Sequence, residues 1–128
     1  MPVSYKILPE NNLVVVHYTG VLTLEEIISV RKEGASDSDF SPDYHVIDDI
    51  TGVTSTKINF DDLSHISGKS VASKGVKRAL VAETELQFGM ARMYQMLSES
   101  HGQMFQIFKD YDVAFEWVSE QESNEVED

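Results

Sequence analysis

The 128 residues carry 22 acidic against 10 basic side chains, a net charge of −12 with histidine neutral, and 41% of them are hydrophobic. This is the composition of one globular domain able to bury its own core. The absence of cysteine excludes a disulfide framework, a thiolate metal site and a cysteine nucleophile, and so negative a balance disfavours nucleic acid and anionic membrane surfaces, which both need cations at phosphates.

The opening Met1-Pro2-Val3-Ser4-Tyr5-Lys6 lacks the basic-then-apolar pattern of a signal peptide, and no apolar run approaches the roughly 20 residues of a membrane span. The expected location is the cytoplasm. Val3 to Leu8 reads as a strand, Pro9-Glu10-Asn11-Asn12 as a turn, and Leu13 to Thr19 as a second, β-branched strand that makes an antiparallel hairpin with the first. Gly20 is expected to break that strand. Thr23-Leu24-Glu25-Glu26 has the spacing of a capping box. The helix it opens has Leu24, Ile27, Ile28 and the aliphatic stem of Arg31 on its inner face and ends at Gly34.

After a polar loop, Tyr44 to Ile50 predicts a third strand, with Thr51-Gly52 turning out of it. Asn59 to Gly68 predicts a short helix with Phe60, Leu63 and Ile66 inward, and Val76 to Ala82 a fourth strand. Thr84 caps a long helix running to Ser100, Gln103 to Phe108 forms a fifth strand, and Asp110 or Asp112 caps a last helix. The order β-β-α-β-α-β-α-β-α predicts an α/β fold, a mixed five-stranded sheet that is largely parallel and wrapped by helices. A single domain over residues 1–119 is expected, followed by an acidic, solvated tail at 120–128.

Four stretches together resemble the bacterial SpoIIAA-like proteins, relatives of the STAS domain. They are HYTGVLTLEEI from His17, YHVIDDITGV from Tyr44, KRALVAETELQFGMARMYQML from Lys77 and FQIFKDYDVAFEWV from Phe105. The resemblance runs from Val3 to Val118 and implies the mixed, helix-wrapped sheet of a fold class that also contains lipid-carrying domains. Founding members of that family are anti-sigma factor antagonists with a phosphorylatable serine in an Asp-Ser-x-Gly motif. Here the corresponding stretch reads Thr56-Lys57-Ile58-Asn59-Phe60, and Ser55 and Thr56 lack that setting. The phospho-switch is therefore not carried over.

Asp48 and Asp49 are the best candidates for chemistry. Alternation along a strand points one to each face, and ligands of open α/β sheets bind at the carboxyl ends of strands. With Glu83 and Asp110 they could hold a divalent cation; the simpler expectation is that such carboxylates cap helices. A receiver domain is excluded by its missing acceptor aspartate, since Val76 to Ala82 is followed by Glu83. His17, His45, His65 and His101 show no metal spacing and read as structural; His17 and His45 fall on adjacent or nearby strands, where the two could meet. No nucleophile elbow is present, and Ser67-Gly68-Lys69-Ser70 lacks the upstream glycine of a phosphate loop.

On the long helix, a wheel places Leu86, Met90, Met93, Tyr94 and Leu97 on the core arc and Phe88 opposite, exposed beside Arg92. An aromatic residue beside an arginine suits a partner contact. The residues assigned to partner or ligand contact are Phe88, Arg92 and Tyr94 on the helix and Asp49, Thr51 and Ser55 at the strand ends, with no catalytic residue, metal or cofactor. The reading is a non-enzymatic binding or regulatory module whose partner is another protein or a second copy in a homodimer. Alternatives are a small carrier of an apolar ligand and a metal-dependent enzyme at Asp48 and Asp49.

Overall fold

The computed structural model describes residues 3–67, 75–99 and 104–120. The expected tail from residue 121 on, His101, the segment Gly68-Lys69-Ser70, and the outermost ends of three predicted elements (Gly68, Ser100 and Gln103) lie outside them. Among the described residues the elements are β1 (Val3–Leu8), a 3-10 turn (Pro9–Asn11), β2 (Leu13–Leu22), α1 (Leu24–Ser36), β3 (His45–Thr56), α2 (Phe60–Ser67), β4 (Lys77–Val81), α3 (Glu85–Glu99), β5 (Met104–Phe108) and α4 (Tyr111–Ser119). Asn12 closes the hairpin turn at φ 53°, a left-handed conformation that asparagine tolerates. β1 pairs antiparallel with β2, and β2, β3, β4 and β5 are parallel, in the order β1-β2-β3-β4-β5. The mixed five-stranded α/β fold is as expected.

That order decides where the helices go. Each crossover steps one strand in the same direction, and right-handed crossovers then put α1, α2 and α3 on one face. Val14, Val16, Tyr18, Ile50, Leu80 and Phe105 meet those helices. The alternate residues Leu13, Val15, Ile47, Ala79 and Val81 meet α4 on the other face. Strands buried on both sides read as continuous apolar runs, which is why Leu13-Val14-Val15-Val16 shows no polar alternation.

Two glycines of the strands act differently from expectation. Gly20 does not break β2. It sits at φ 73° where the β2–β3 register shifts, so the strand bulges and continues to Leu22. Thr51-Gly52 does not turn out of β3, which runs on to Thr56. A Cβ at Gly52 would come within 2.7 Å of Thr19 Cγ2, so glycine is there to let the two strands approach.

Thr23 caps α1 by accepting from the Glu26 amide at 3.3 Å. The helix passes Gly34 and ends at Ser36, where the Asp37 amide bonds the Gly34 carbonyl. In α2, Leu63 and Ile66 are buried as expected, but Phe60 is 52% exposed, because the first residue of a helix has packed neighbours on one side only. Asp110 caps α4, accepting from the Asp112 amide at 2.7 Å.

The wheel of α3 is rotated from the one expected. Gln87, Ala91 and Tyr94 form the buried stripe, Leu86 and Met93 are exposed, and Phe88 is half-buried against the core. Sorting by hydrophobicity misplaced the stripe because its first member is a polar residue with every polar atom engaged. His17 and His45 are not neighbours: His17 lies opposite Asp49 and His45 opposite Leu13, four positions apart along the strand direction, or about 13 Å.

Candidate functional site

Asp48 and Asp49 point to opposite faces, as the alternation requires, and each builds a polar cluster of its own. Asp48 is 5% exposed beneath the three helices and is ion-paired with Arg78 of the neighbouring strand. Burial alone would lower the Arg78 pKa, but the Asp48 charge overrides it and the net direction is upward. Above this pair, Arg31 turns its guanidinium inward instead of leaving it in water. It donates to the Ile66 carbonyl at 2.8 Å and to the Tyr94 hydroxyl at 2.5 Å. Tyr94 also packs edge-on against Phe105 with centroids 5.4 Å apart. Tyr18 completes the layer; burial and then the Asp48 charge push its pKa upward. A cavity of about 50 Å³ opens beside Tyr18, Arg31, Asp48 and Tyr94, with Ile27, Leu63 and Met90 on its walls.

Asp49 lies on the α4 side, toward the carboxyl ends of the strands. One of its oxygens accepts from the Thr51 amide at 2.9 Å and the Thr51 hydroxyl at 2.7 Å; the other is 3.3 Å from His17 Nδ1. Tyr111 is near enough that burial and then the Asp49 charge raise its pKa.

The same edge is closed on the α3 side by Gln87. Its side-chain oxygen accepts from the Glu83 and Thr84 amides at 2.7 and 3.1 Å, and its nitrogen donates to the Thr51 and Val53 carbonyls at 3.1 and 2.9 Å. The Gln87 amide in turn donates to Thr84 Oγ1 at 3.2 Å. One residue thus caps its own helix and ties it to β3. The Thr84-x-x-Gln87 spacing of a capping box was the sequence signal for it. Next to Gln87, the Phe88 ring has two cations on it: Arg92 Cζ at 5.6 Å from the centroid and Lys109 Nζ at 5.8 Å.

Of the six residues assigned to contact, the structure brings Asp49 together with Thr51 and Phe88 together with Arg92. Tyr94 is separated from them, 6% exposed and held by Arg31, so it cannot meet a partner surface. Ser55 is exposed near the end of β3, opposite Val21. Thr56 accepts from the Ile58 amide at 3.0 Å, and the cap of α2 is Asn59, reciprocally bonded with Asp62.

The donor set expected of a cation site does not assemble. Asp48 and Asp49 face apart, Asp110 caps α4, Glu83 is exposed, and among the described residues no three histidine, aspartate or glutamate side chains converge. The cavity is also far below the roughly 300 Å³ at which pockets for drug-sized ligands begin. No helix of the described residues is long and apolar enough to cross a membrane.

No family model and no curated protein matches the chain. Solved structures do. An anti-sigma factor antagonist from Mycobacterium paratuberculosis superposes with a TM-score of 0.63 at 16% identity, over 92% of this chain and 95% of the other. An uncharacterised protein with a SpoIIAA-like fold from Shewanella loihica superposes with a TM-score of 0.60 at 19% identity, over 91% of each chain. At these identities the likeness shows the fold, which is SpoIIAA-like, in agreement with the resemblance read from the four sequence stretches.

Proposed function

We propose that this SpoIIAA-like domain is a non-enzymatic regulatory module of the cytoplasm that acts by contact with a protein partner, through the edge of the sheet around Phe88 and Arg92. The observation that carries the reading is the Phe88 ring with Arg92 and Lys109 against it. In a chain of net charge −12 with 10 basic residues, two cations gathered on one aromatic ring are a local concentration of positive charge. Aromatic and arginine side chains at such a spot are what interface centres are made of. Cation–π contacts hold the two long side chains in place before any partner arrives. Asp49, Thr51 and Ser55 extend the same edge. The positive spot selects an acidic segment of the partner, and the surrounding negative charge repels other acidic surfaces. A solved neighbour described as an anti-sigma factor antagonist agrees with a regulatory role. The Asp-Ser-x-Gly motif is absent, so control by phosphorylation at that position is not part of the proposal.

The test is site-specific photocrosslinking in the native host. A photoreactive residue at position 89, exposed next to Phe88 with open space around it, is expected to give one discrete protein adduct that disappears when Phe88→Glu is added, while the same residue at Ser4 gives none. Equal labelling from both positions, or an adduct indifferent to Phe88→Glu, overturns the assignment of this edge.

A further inference from the structure

The polar layer beneath α1 and α3 carries a charge that no described residue balances. Asp48 and Arg78 neutralise each other. Arg31 gives its hydrogen bonds to neutral acceptors, the Ile66 carbonyl and the Tyr94 hydroxyl, and among the described residues no carboxylate forms an ion pair with it. Both arginines act on Tyr94. Burial acts to raise its pKa, yet the Arg78 and Arg31 charges outweigh burial and the net direction is downward. A second observation comes from Tyr18. Its side chain is 7% exposed and lines the cavity, and its hydroxyl has no hydrogen-bond partner among the described residues. Buried hydroxyls are almost always paired, so this one marks a place built to meet another polar group.

We infer that the cavity is a binding site for a small monocarboxylate of about the size of acetate. Its carboxylate meets the Tyr18 hydroxyl and the Arg31–Tyr94 pair, and its alkyl end lies among Ile27, Leu63 and Met90. Size sets the class: the 50 Å³ of space, against the roughly 10–15 Å³ that a single water needs, takes a few heavy atoms, as in acetate, and not a long acyl chain. Charge sets the sign. A cation partly withdrawn from water, as Arg31 is, binds an anion more strongly than a fully exposed one does, and the net negative charge of the surface is screened over about 10 Å at ordinary salt. This site is separate from the Phe88 edge and stands or falls independently of the partner reading.

The experiment uses the full chain and carbon-13-labelled acetate, with sodium chloride at matched ionic strength as the control. Saturable broadening of the acetate signal is expected, with a rise in thermal midpoint that grows with acetate and not with chloride. Tyr18→Phe keeps the ring and is expected to weaken acetate about tenfold, the loss of one hydrogen bond to a charged group. Arg31→Gln is expected to abolish binding; if it does not fold, Tyr18→Phe decides alone. Non-saturable broadening, an equal response to chloride, unchanged affinity in Tyr18→Phe, or tighter binding of octanoate than of acetate overturns the inference.

Discussion

The two faces of the sheet solve the same burial problem in different ways. The α4 face is apolar at its centre: Leu13, Val15, Ile47, Ala79, Val81, Ala114 and Val118 pack into one cluster. Its one deeply buried charge among the described residues is Lys77, 3% exposed. Lys77 donates to the Trp117 carbonyl at 2.8 Å and lies over the Trp117 ring at 5.2 Å, so the cation sits where the carbonyl end of the helix favours it. The three-helix face has the larger apolar cluster yet spends part of its interior on Asp48, Arg78, Tyr18, Tyr94 and Arg31. A buried ion pair is a poor source of stability, because the cost of leaving water offsets the attraction. The stability of both faces therefore comes from their apolar clusters, and the ion pair adds little of its own.

The largest effect should come from splitting the ion pair. Asp48→Ala leaves Arg78 charged and buried and is expected to cost about 3–5 kcal/mol in urea unfolding. The double variant Asp48→Leu with Arg78→Met is expected to return to within about 1 kcal/mol of the parent or above it. If the double variant loses as much as the single one, the pair is a stability device and the contrast between the faces collapses.

Next is Gln87→Leu, which strands two amides and two carbonyls at the meeting of α3 and β3. A loss of about 2–3 kcal/mol is expected, with hydrogen exchange accelerated first at Glu83 and Thr84. Uniform acceleration over the sheet would mean that the tie is not local. On the α4 face, Ile47→Val removes one methyl group from a residue that is fully buried and should cost about 1 kcal/mol. A negligible cost would show that this face is packed more loosely than its burial indicates.

The smallest effect is a difference in slope. The folded-state pKa of Tyr18 is raised by burial and then by Asp48. At pH above about 10 the unfolded chain gives up that proton while the folded chain keeps it, so stability is full below pH 10 and falls as pH rises beyond it. Tyr94 shifts downward and opposes the fall. Tyr18→Phe should leave stability at neutral pH nearly unchanged and flatten the alkaline decline. An identical decline in the variant would assign the effect to other groups, Tyr111 first among them.

How much of this was legible in the sequence depends on the span of the interaction. The caps at Thr23 and Asp110 depend on residues two or three positions apart, and reading along the chain finds them. The split of Asp48 from Asp49 follows from strand alternation alone. The pairings of Arg31 with Tyr94, 63 residues apart, and of Arg78 with Asp48, 30 apart, depend on strand order and register, which no local pattern encodes. The same holds for His17 and Asp49, adjacent only because β2 and β3 are parallel in one register. Gly20 and Gly52 were visible as special positions, but whether a glycine stops a strand or lets two strands close up depends on the neighbouring strand. Gln87 shows the limit of a hydrophobic wheel, which has no place for a polar residue whose partners are all supplied by the backbone.

The unbroken strand order β1-β2-β3-β4-β5 bears on how the chain assembles. Every strand is added beside the one made just before it, and none has to be inserted between two already in place. During synthesis the hairpin of β1 and β2 can form first and serve as the template on which each αβ unit docks in turn, since domains emerge amino-terminus first at about 5–20 residues per second. Pairing neighbours in sequence also keeps loop closures short, which favours fast folding for a sheet that is mostly parallel.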